Sequence, residues 1–178
     1  MKGIMFTELL EMAEIEFGPE FVNNVINNLD SESNGIYTAV GNYDHKELVN
    51  LLKVMSTEAK LSSNVLMYNY GRYLFKKFIK YYPAFFENIS HPFDFLESID
   101  VYIHKEVLKL YPNAELPKFE CNRISSSSME MIYTSVRRME DLAHGLIEEC
   151  LIHFNSTGAI EMIEVSAEQV KFTVDING

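Results

Sequence analysis

Two groups of side chains in this sequence could bind a ligand through defined chemistry. The first is His104, because neutral imidazole is a good ligand for iron and other transition metals. The second is the triplet Tyr133, Ser135 and Arg137, whose alternate spacing would place two hydroxyls and a guanidinium on one face of a β-strand. Arginine binds carboxylates through paired, charge-assisted hydrogen bonds, and hydroxyls can complete the contacts. The triplet therefore suits a ligand with two neighbouring carboxylates, such as the two propionates of haem.

Each group also has a purely structural interpretation. His104 lies at the edge of an apolar stripe on its predicted helix, formed by Leu96, Ile99, Ile103, Val107 and Leu110. A half-exposed histidine with a structural hydrogen bond is more common at such an edge than a metal ligand. The triplet is equally consistent with an outward polar face of a strand. Spacing alone does not choose between these interpretations.

The elements that must position these residues follow a simple order along the chain. Helical spacing of apolar residues predicts helices over residues 5–17, 21–29, 45–55, 65–82, 93–111 and 136–154. Alternating apolar residues predict strands over residues 117–124, 129–135, 159–165 and 169–176. Helices first, followed by strand–strand–helix–strand–strand, indicate an α+β fold whose second lobe contains an antiparallel sheet.

Composition excludes several functions. The chain has 178 residues and a formal net charge of −11, which repels phosphate backbones, so we expect no binding to nucleic acid. We also expect no membrane insertion, since no apolar run is long enough to cross a bilayer and no secretory signal opens the sequence. Cys121 and Cys150 do not form a disulfide framework, which favours a reduced, cytoplasmic protein.

The remaining histidines have weaker claims to a site. His91 precedes Pro92 at a predicted helix start, where it would cap the helix or face solvent. His45 is expected at the surface. A zinc site formed by Cys121, Cys150 and His153 is an alternative, but their spacing fits no zinc signature.

The motif Tyr133-x-Ser135-x-Arg137, with His104 upstream, resembles the signature of the haem–nitric oxide/oxygen-binding (H-NOX) family. Residues 1–4, 35–44, 70–72 and 116–121 are also similar to family members. The resemblance covers essentially the whole chain. It implies a helical N-terminal lobe of residues 1–62, followed by an α+β lobe of residues 63–178 with a four-stranded antiparallel sheet and a helix. Haem b (iron protoporphyrin IX) would be buried between the two lobes.

The resemblance also implies roles for individual residues. His104 would be the axial ligand of the haem iron, and Tyr133, Ser135 and Arg137 would bind the propionates. Pro117 would press on one face of the porphyrin and distort it. Three apolar residues would line the pocket, although ordinary core packing explains them equally well: Met5, Phe78 and Leu146.

The expected gas pocket departs from the oxygen-binding branch of the family. Leu142 stands where that branch has a tyrosine, and Leu9 and Leu74 stand where it has a tryptophan and an asparagine. A bound oxygen molecule would find no hydrogen-bond donor there, whereas nitric oxide binds ferrous haem strongly without one. The resemblance therefore implies a nitric oxide sensor that also binds carbon monoxide.

Such a sensor is not expected to be an enzyme. We expect it to act in trans on a histidine kinase or a cyclic-di-GMP enzyme. One alternative is a haem enzyme with peroxidase-like or nitric-oxide-consuming activity, which the lack of an acid–base residue near Leu142 opposes. Another alternative is an interaction module that retains the fold without haem.

Overall fold

The computed structural model describes residues 1–177; Gly178, the last residue of the expected second lobe, lies outside the described residues. The described chain is an α+β structure, as the sequence predicted. Its helices are α1 (Ile4–Phe17), α2 (Pro19–Asn27), α3 (His45–Ala59), α4 (Ser63–Tyr81), α5 (Pro92–Ser98), a π-helix (Ile99–Ile103), α6 (His104–Leu110) and α7 (Glu140–His153), with a 3₁₀ turn at Pro83–Phe85. Its strands are β1 (Lys118–Arg123), β2 (Ser128–Thr134), β3 (Gly158–Ser166) and β4 (Gln169–Ile176).

Side-chain caps fix the beginnings of three helices. Asp44 accepts a hydrogen bond from the backbone N–H of Lys46 at the start of α3, and Ser62 does the same for α4. The ring of His91 accepts a hydrogen bond of 3.1 Å from the N–H of Phe93 at the start of α5. The predicted capping role of His91 is therefore confirmed.

The four strands form one antiparallel sheet with the order β1-β2-β4-β3, which confirms the predicted sheet. Alternate residues of the two central strands are buried, namely Met129, Met131 and Tyr133 on β2 and Val170, Phe172 and Val174 on β4. This period of two gives the sheet one apolar face, which forms a hydrophobic cluster with residues of α5 and α7.

A second hydrophobic cluster lies among α1, α2, α3 and α4, and α4 contributes to both clusters through Leu74 and Phe75. Helices α4 and α7 cross closely at Gly71 and Gly145. A Cβ atom at Gly71 would overlap the carbonyl oxygen of Leu142, and one at Gly145 would overlap that of Tyr68. These glycines therefore allow the two helices to approach closely where the clusters meet.

Two predicted elements differ from the structure in ways that affect the site. The single helix predicted over residues 93–111 is interrupted by the π-helix, so that the N–H of His104 donates to the carbonyl of Ile99 five residues earlier. The last predicted strand residue, Ser135, lies beyond β2, which ends at Thr134, and α7 begins at Glu140 rather than at residue 136. Ser135 and Arg137 therefore lie in a turn and not on a strand face.

Candidate functional site

A large cavity of about 780 Å³ lies between α4, α7, the α5–π–α6 segment and the end of β2. This volume is within the range of roughly 300–1,000 Å³ that is usual for small-molecule and cofactor sites. All of the predicted site residues except Leu9 line it. Leu9 is fully buried in the first hydrophobic cluster, together with Leu74 and Leu142, and is not among the lining residues, so its place beside a bound gas stays a prediction.

His104 lines this cavity from the first turn of α6, directly after the π-helix. Its Nδ1 atom lies 2.7 Å from Oδ1 of Asp100, and its side chain is 18% exposed. Because a carboxylate accepts, this contact places the ring proton on Nδ1 and leaves Nε2 as the nitrogen with a free lone pair. π-helical turns are rare and occur frequently at functional sites.

Burial lowers the pKa of His104 below its usual value, against the opposing effect of the Asp100 carboxylate. The lower pKa favours the neutral imidazole at physiological pH. Only neutral imidazole can bind a metal ion, so the environment of His104 suits that role.

Tyr133 is almost fully buried on the inner face of β2, opposite Phe119 of β1. Its hydroxyl accepts a hydrogen bond of 3.2 Å from the N–H of Met139, which leaves the hydroxyl proton to be donated. Burial raises the pKa of Tyr133, so the hydroxyl stays protonated. The Phe119 ring contacts both neighbouring rings, with centroid distances of 6.2 Å to His104 and 5.4 Å to Tyr133.

Ser135 and Arg137 approach the cavity through the turn that follows β2. The N–H of Ser135 donates to the carbonyl of Glu168, and the Ser135 hydroxyl accepts from the N–H of Arg137 at 3.2 Å. These bonds hold the turn in place. The Arg137 guanidinium donates a hydrogen bond of 2.9 Å to the carbonyl of Glu115 and also contacts the Glu115 carboxylate.

The wall of the cavity that α1, α4 and α7 form is apolar throughout. Every lining residue within α1, α4 and α7 has an apolar side chain: Ile4, Met5, Leu74, Phe75, Phe78, Leu142, Ala143, Leu146 and Ile147. The predicted stripe on the α5–π–α6 segment also faces this cavity. Tyr82 and Tyr111 line it from outside these helices.

Pro117 also lines the cavity and directly precedes β1. Two residues later, the N–H of Phe119 donates a hydrogen bond of 3.0 Å to Oδ2 of Asp100. The segment that contains Pro117 is therefore tied to the helix that carries His104.

Asp100 and Glu115 both contact predicted site residues, and neither was predicted from the sequence. The spacing of an aspartate four residues before His104 was a signal for the first pair, since residues i and i+4 are neighbours on a helix. No local pattern pointed to Glu115, which is 22 residues from Arg137.

The described residues offer no alternative metal site. Among residues 1–177, no cluster of three His, Cys, Asp or Glu side chains could hold a metal ion. The zinc site considered from Cys121, Cys150 and His153 therefore has no structural support there.

These features fit one kind of ligand: a large, mostly apolar group with a metal atom and an acidic edge. The apolar wall would bury its faces, His104 could bind the metal, and the guanidinium of Arg137 could pair with the acidic edge. Fold and site thus define an α+β domain that suits a metal–porphyrin cofactor.

Comparison with known proteins gives this class a family. The model of the haem-NO-binding family matches residues 2–162. The crystal structure of the Fe(II) unliganded H-NOX protein from K. algicida has a TM-score of 0.94 and 36% identity, covering 100% of this chain and 97% of that one. The H-NOX protein from Shewanella woodyi, solved with IWP-051 in the Fe(II)CO state, has a TM-score of 0.84 and 36% identity over 98% and 94% of the two chains.

A third structure shares the fold at lower identity. The H-NOX protein from S. oneidensis in the Fe(II)NO state has a TM-score of 0.90 and 20% identity, with 100% of both chains covered. A comparison with curated proteins found no match. The chain belongs to the H-NOX family, whose members bind haem and act as gas sensors.

Among residues 1–177, no helix combines the length and apolar character needed to cross a membrane.

Proposed function

We propose that this protein is a nitric oxide sensor that binds haem b in the cavity and regulates a separate signalling protein. The observation that carries the proposal is that His104, whose Nε2 lone pair is free, lines the same cavity as the entirely apolar wall of α1, α4 and α7. Family membership supports haem as the cofactor, and the apolar wall supports nitric oxide as the gas.

Each wall of the cavity has a proposed role. His104 would hold the iron through Nε2. Arg137 would pair with the propionates, and the hydroxyls of Tyr133 and Ser135 would complete the contacts. Pro117 would contact the porphyrin face and keep it distorted. Met5, Phe78 and Leu146 would cover apolar parts of the cofactor.

Ferrous haem, when bound, supplies an iron site for diatomic gases. Leu74 and Leu142 would surround that site and offer no hydrogen-bond donor. A bound oxygen molecule gains stability from a donor because it draws negative charge to its outer atom, whereas nitric oxide gains little. These residues therefore favour nitric oxide and carbon monoxide over oxygen. Related proteins have been solved in the Fe(II)NO and Fe(II)CO states, which supports the same choice.

Signal output would follow from a shift between two lobes, residues 1–62 and 63–178. The readout is proposed to be a histidine kinase or a cyclic-di-GMP enzyme that recognises the altered surface. The free thiols of Cys121 and Cys150 are compatible with the reducing cytoplasm as its location.

The test is the absorption spectrum of the purified ferrous protein under argon, nitric oxide, carbon monoxide and air. We expect a histidine-ligated haem spectrum, stable complexes with nitric oxide and carbon monoxide, and no persistent oxygen complex. A colourless protein after haem-replete expression would favour a haem-free interaction module. Turnover of peroxide or continuous consumption of nitric oxide would favour an enzyme.

A further inference from the structure

The Asp100 carboxylate uses its two oxygens for two different parts of the fold. Oδ1 accepts from Nδ1 of His104 at 2.7 Å, and Oδ2 accepts from the backbone N–H of Phe119 at 3.0 Å. The side chain is 25% exposed, so solvent competes with these bonds only in part. One carboxylate thus connects His104 to the first residues of β1.

The first of these bonds determines how the His104 ring is presented. A carboxylate that accepts from one ring nitrogen fixes the tautomer and the ring orientation, and it makes the other nitrogen a stronger electron donor. Since Nδ1 faces Asp100, the stronger donor is Nε2. The Asp100 side chain therefore acts on any metal ion that Nε2 binds.

The second bond determines where the carboxylate stays. The N–H of Phe119 belongs to β1, whose pairing with β2 runs from Lys118 to Arg123. Asp100 itself lies in the π-helix, a less regular part of the backbone than the α-helices on either side. The anchor on β1 thus holds the carboxylate in position where its own helix is irregular. It also connects His104 to the strand that begins one residue after Pro117.

We infer that Asp100 is a positioning residue for His104: it orients the ring, couples its position to β1, and would strengthen the donation of Nε2 to a bound iron. This inference rests on the proposed role of His104 as the iron ligand. It predicts that the strength of the iron–histidine bond depends on a residue that does not touch the iron.

The test compares Asp100→Asn with wild type by resonance Raman spectroscopy of the unliganded ferrous protein. An asparagine side chain has one oxygen and one NH₂ group, so it cannot offer a separate oxygen to each of His104 and Phe119 as the carboxylate does. We expect the iron–histidine stretching band to shift to lower frequency. Haem loss should be faster by on the order of tenfold, as is typical when such an outer partner of a metal ligand is removed.

Two further variants separate this role from charge and folding. Glu106→Gln removes one negative charge from α6, where Glu106 pairs with Lys109 and does not line the cavity, so its band should match wild type. Asp100→Glu retains a carboxylate in a shifted position, so its band should lie between those of wild type and Asp100→Asn. If Asp100→Asn does not fold, as judged by circular dichroism, the frequency of the iron–histidine band in Asp100→Glu alone tests the role of Asp100.

The outcomes are distinguishable from failure of the proposed function. A wild-type protein that shows no iron–histidine band would remove His104 as the ligand. If the wild type shows the band and Asp100→Asn leaves its frequency unchanged, or Glu106→Gln shifts it equally, the role of Asp100 is overturned and the haem assignment stands. If Asp100→Asn does not fold and Asp100→Glu shows the iron–histidine band at the wild-type frequency, Asp100 has only a structural role.

Discussion

The guanidinium of Arg137 forms an ion pair with the carboxylate of Glu115, although Arg137 is largely buried and Glu115 is 81% exposed. The arginine is fixed by the turn after β2, whereas its partner lies in the irregular segment before β1. A propionate that entered the cavity would therefore compete with an exposed carboxylate for a well-positioned cation. This relationship gives two variants with opposite expected effects on haem retention.

Arg137→Ala should lose haem at least tenfold faster than wild type. Each hydrogen bond to a charged group contributes about 1.5–3 kcal/mol, and the variant removes those to the propionates. Glu115→Gln should slow haem loss by up to about fivefold, because exposed ion pairs contribute only about 0–1 kcal/mol. The measurement is the rate of haem transfer to an apo-globin.

Arg123→Ala provides the control, since Arg123 pairs with Asp94 and Glu97 and does not line the cavity. Rates for Arg137→Ala equal to those of wild type would count against its proposed role.

His104→Ala should abolish stable haem uptake, and His104→Gly should regain it when imidazole is added. Free imidazole fits the volume that the side chain leaves and supplies the same nitrogen ligand. The Soret band of the ferrous protein, with and without imidazole, checks both outcomes. His45→Ala serves as the control, since His45 does not line the cavity. A normal histidine-ligated spectrum in His104→Ala would show that another residue binds the iron.

Leu142→Tyr should introduce measurable oxygen affinity, because it adds a donor to an apolar wall. Such a hydrogen bond is worth on the order of 1.5–3 kcal/mol, or roughly ten- to hundredfold in affinity. The gain should be at the lower end, since Leu74 cannot hold the new hydroxyl. Leu142→Phe adds a ring without the hydroxyl and should gain nothing. A persistent oxygen complex in wild type under air would contradict the gas selectivity and leave the haem assignment intact.

Pro117→Ala should shift signal output of the gas-free protein toward that of the gas-bound state. The variant removes the side chain that would keep the porphyrin distorted. Activity of a partner kinase or cyclic-di-GMP enzyme, measured with both proteins present, provides the readout. Pro112→Ala is the control, since Pro112 follows α6 without lining the cavity. Output of Pro117→Ala identical to that of the gas-free wild type would remove this mechanism.

Cys121 and Cys150 should react slowly with thiol reagents in the folded protein. Burial raises the pKa of Cys121 to about 12, and it raises the pKa of the buried Cys150 thiol as well. Since the thiolate is the reactive form and a free cysteine has a pKa of about 8.5, labelling of Cys121 at pH 8 should be slower than in denaturant by roughly a thousandfold. Labelling kinetics followed by mass spectrometry test this, and rapid labelling of the folded protein would contradict it.

Much of the fold follows from local patterns. The sheet was predictable because the alternation on β2 and β4 is regular and polar turns separate the strands. Strand β4 matches its predicted range of residues 169–176. The helical N-terminal half was predictable because its apolar residues repeat at helical spacing and its helices have clear caps at Asp44 and Ser62.

The prediction failed where tertiary contacts override local preference. Apolar spacing continues from residue 93 to 111, so nothing in it marks the π-helix. Likewise, the alternation of Tyr133, Ser135 and Arg137 fits a strand, yet β2 ends at Thr134. Its two neighbours, β1 and β4, both begin opposite that residue, so no strand is left to pair with Ser135.

The sequence by itself determined the α+β class, the family resemblance and the residue types available for a site, because these depend on composition and short-range spacing. Only the tertiary structure decided which side chains face one cavity, which nitrogen of His104 is free, and that Asp100 joins His104 to Phe119 of β1. Such relationships depend on contacts between residues far apart in the chain. Glu115 and Arg137, for example, are separated by 22 positions, and no local pattern encodes the hydrogen bond between them.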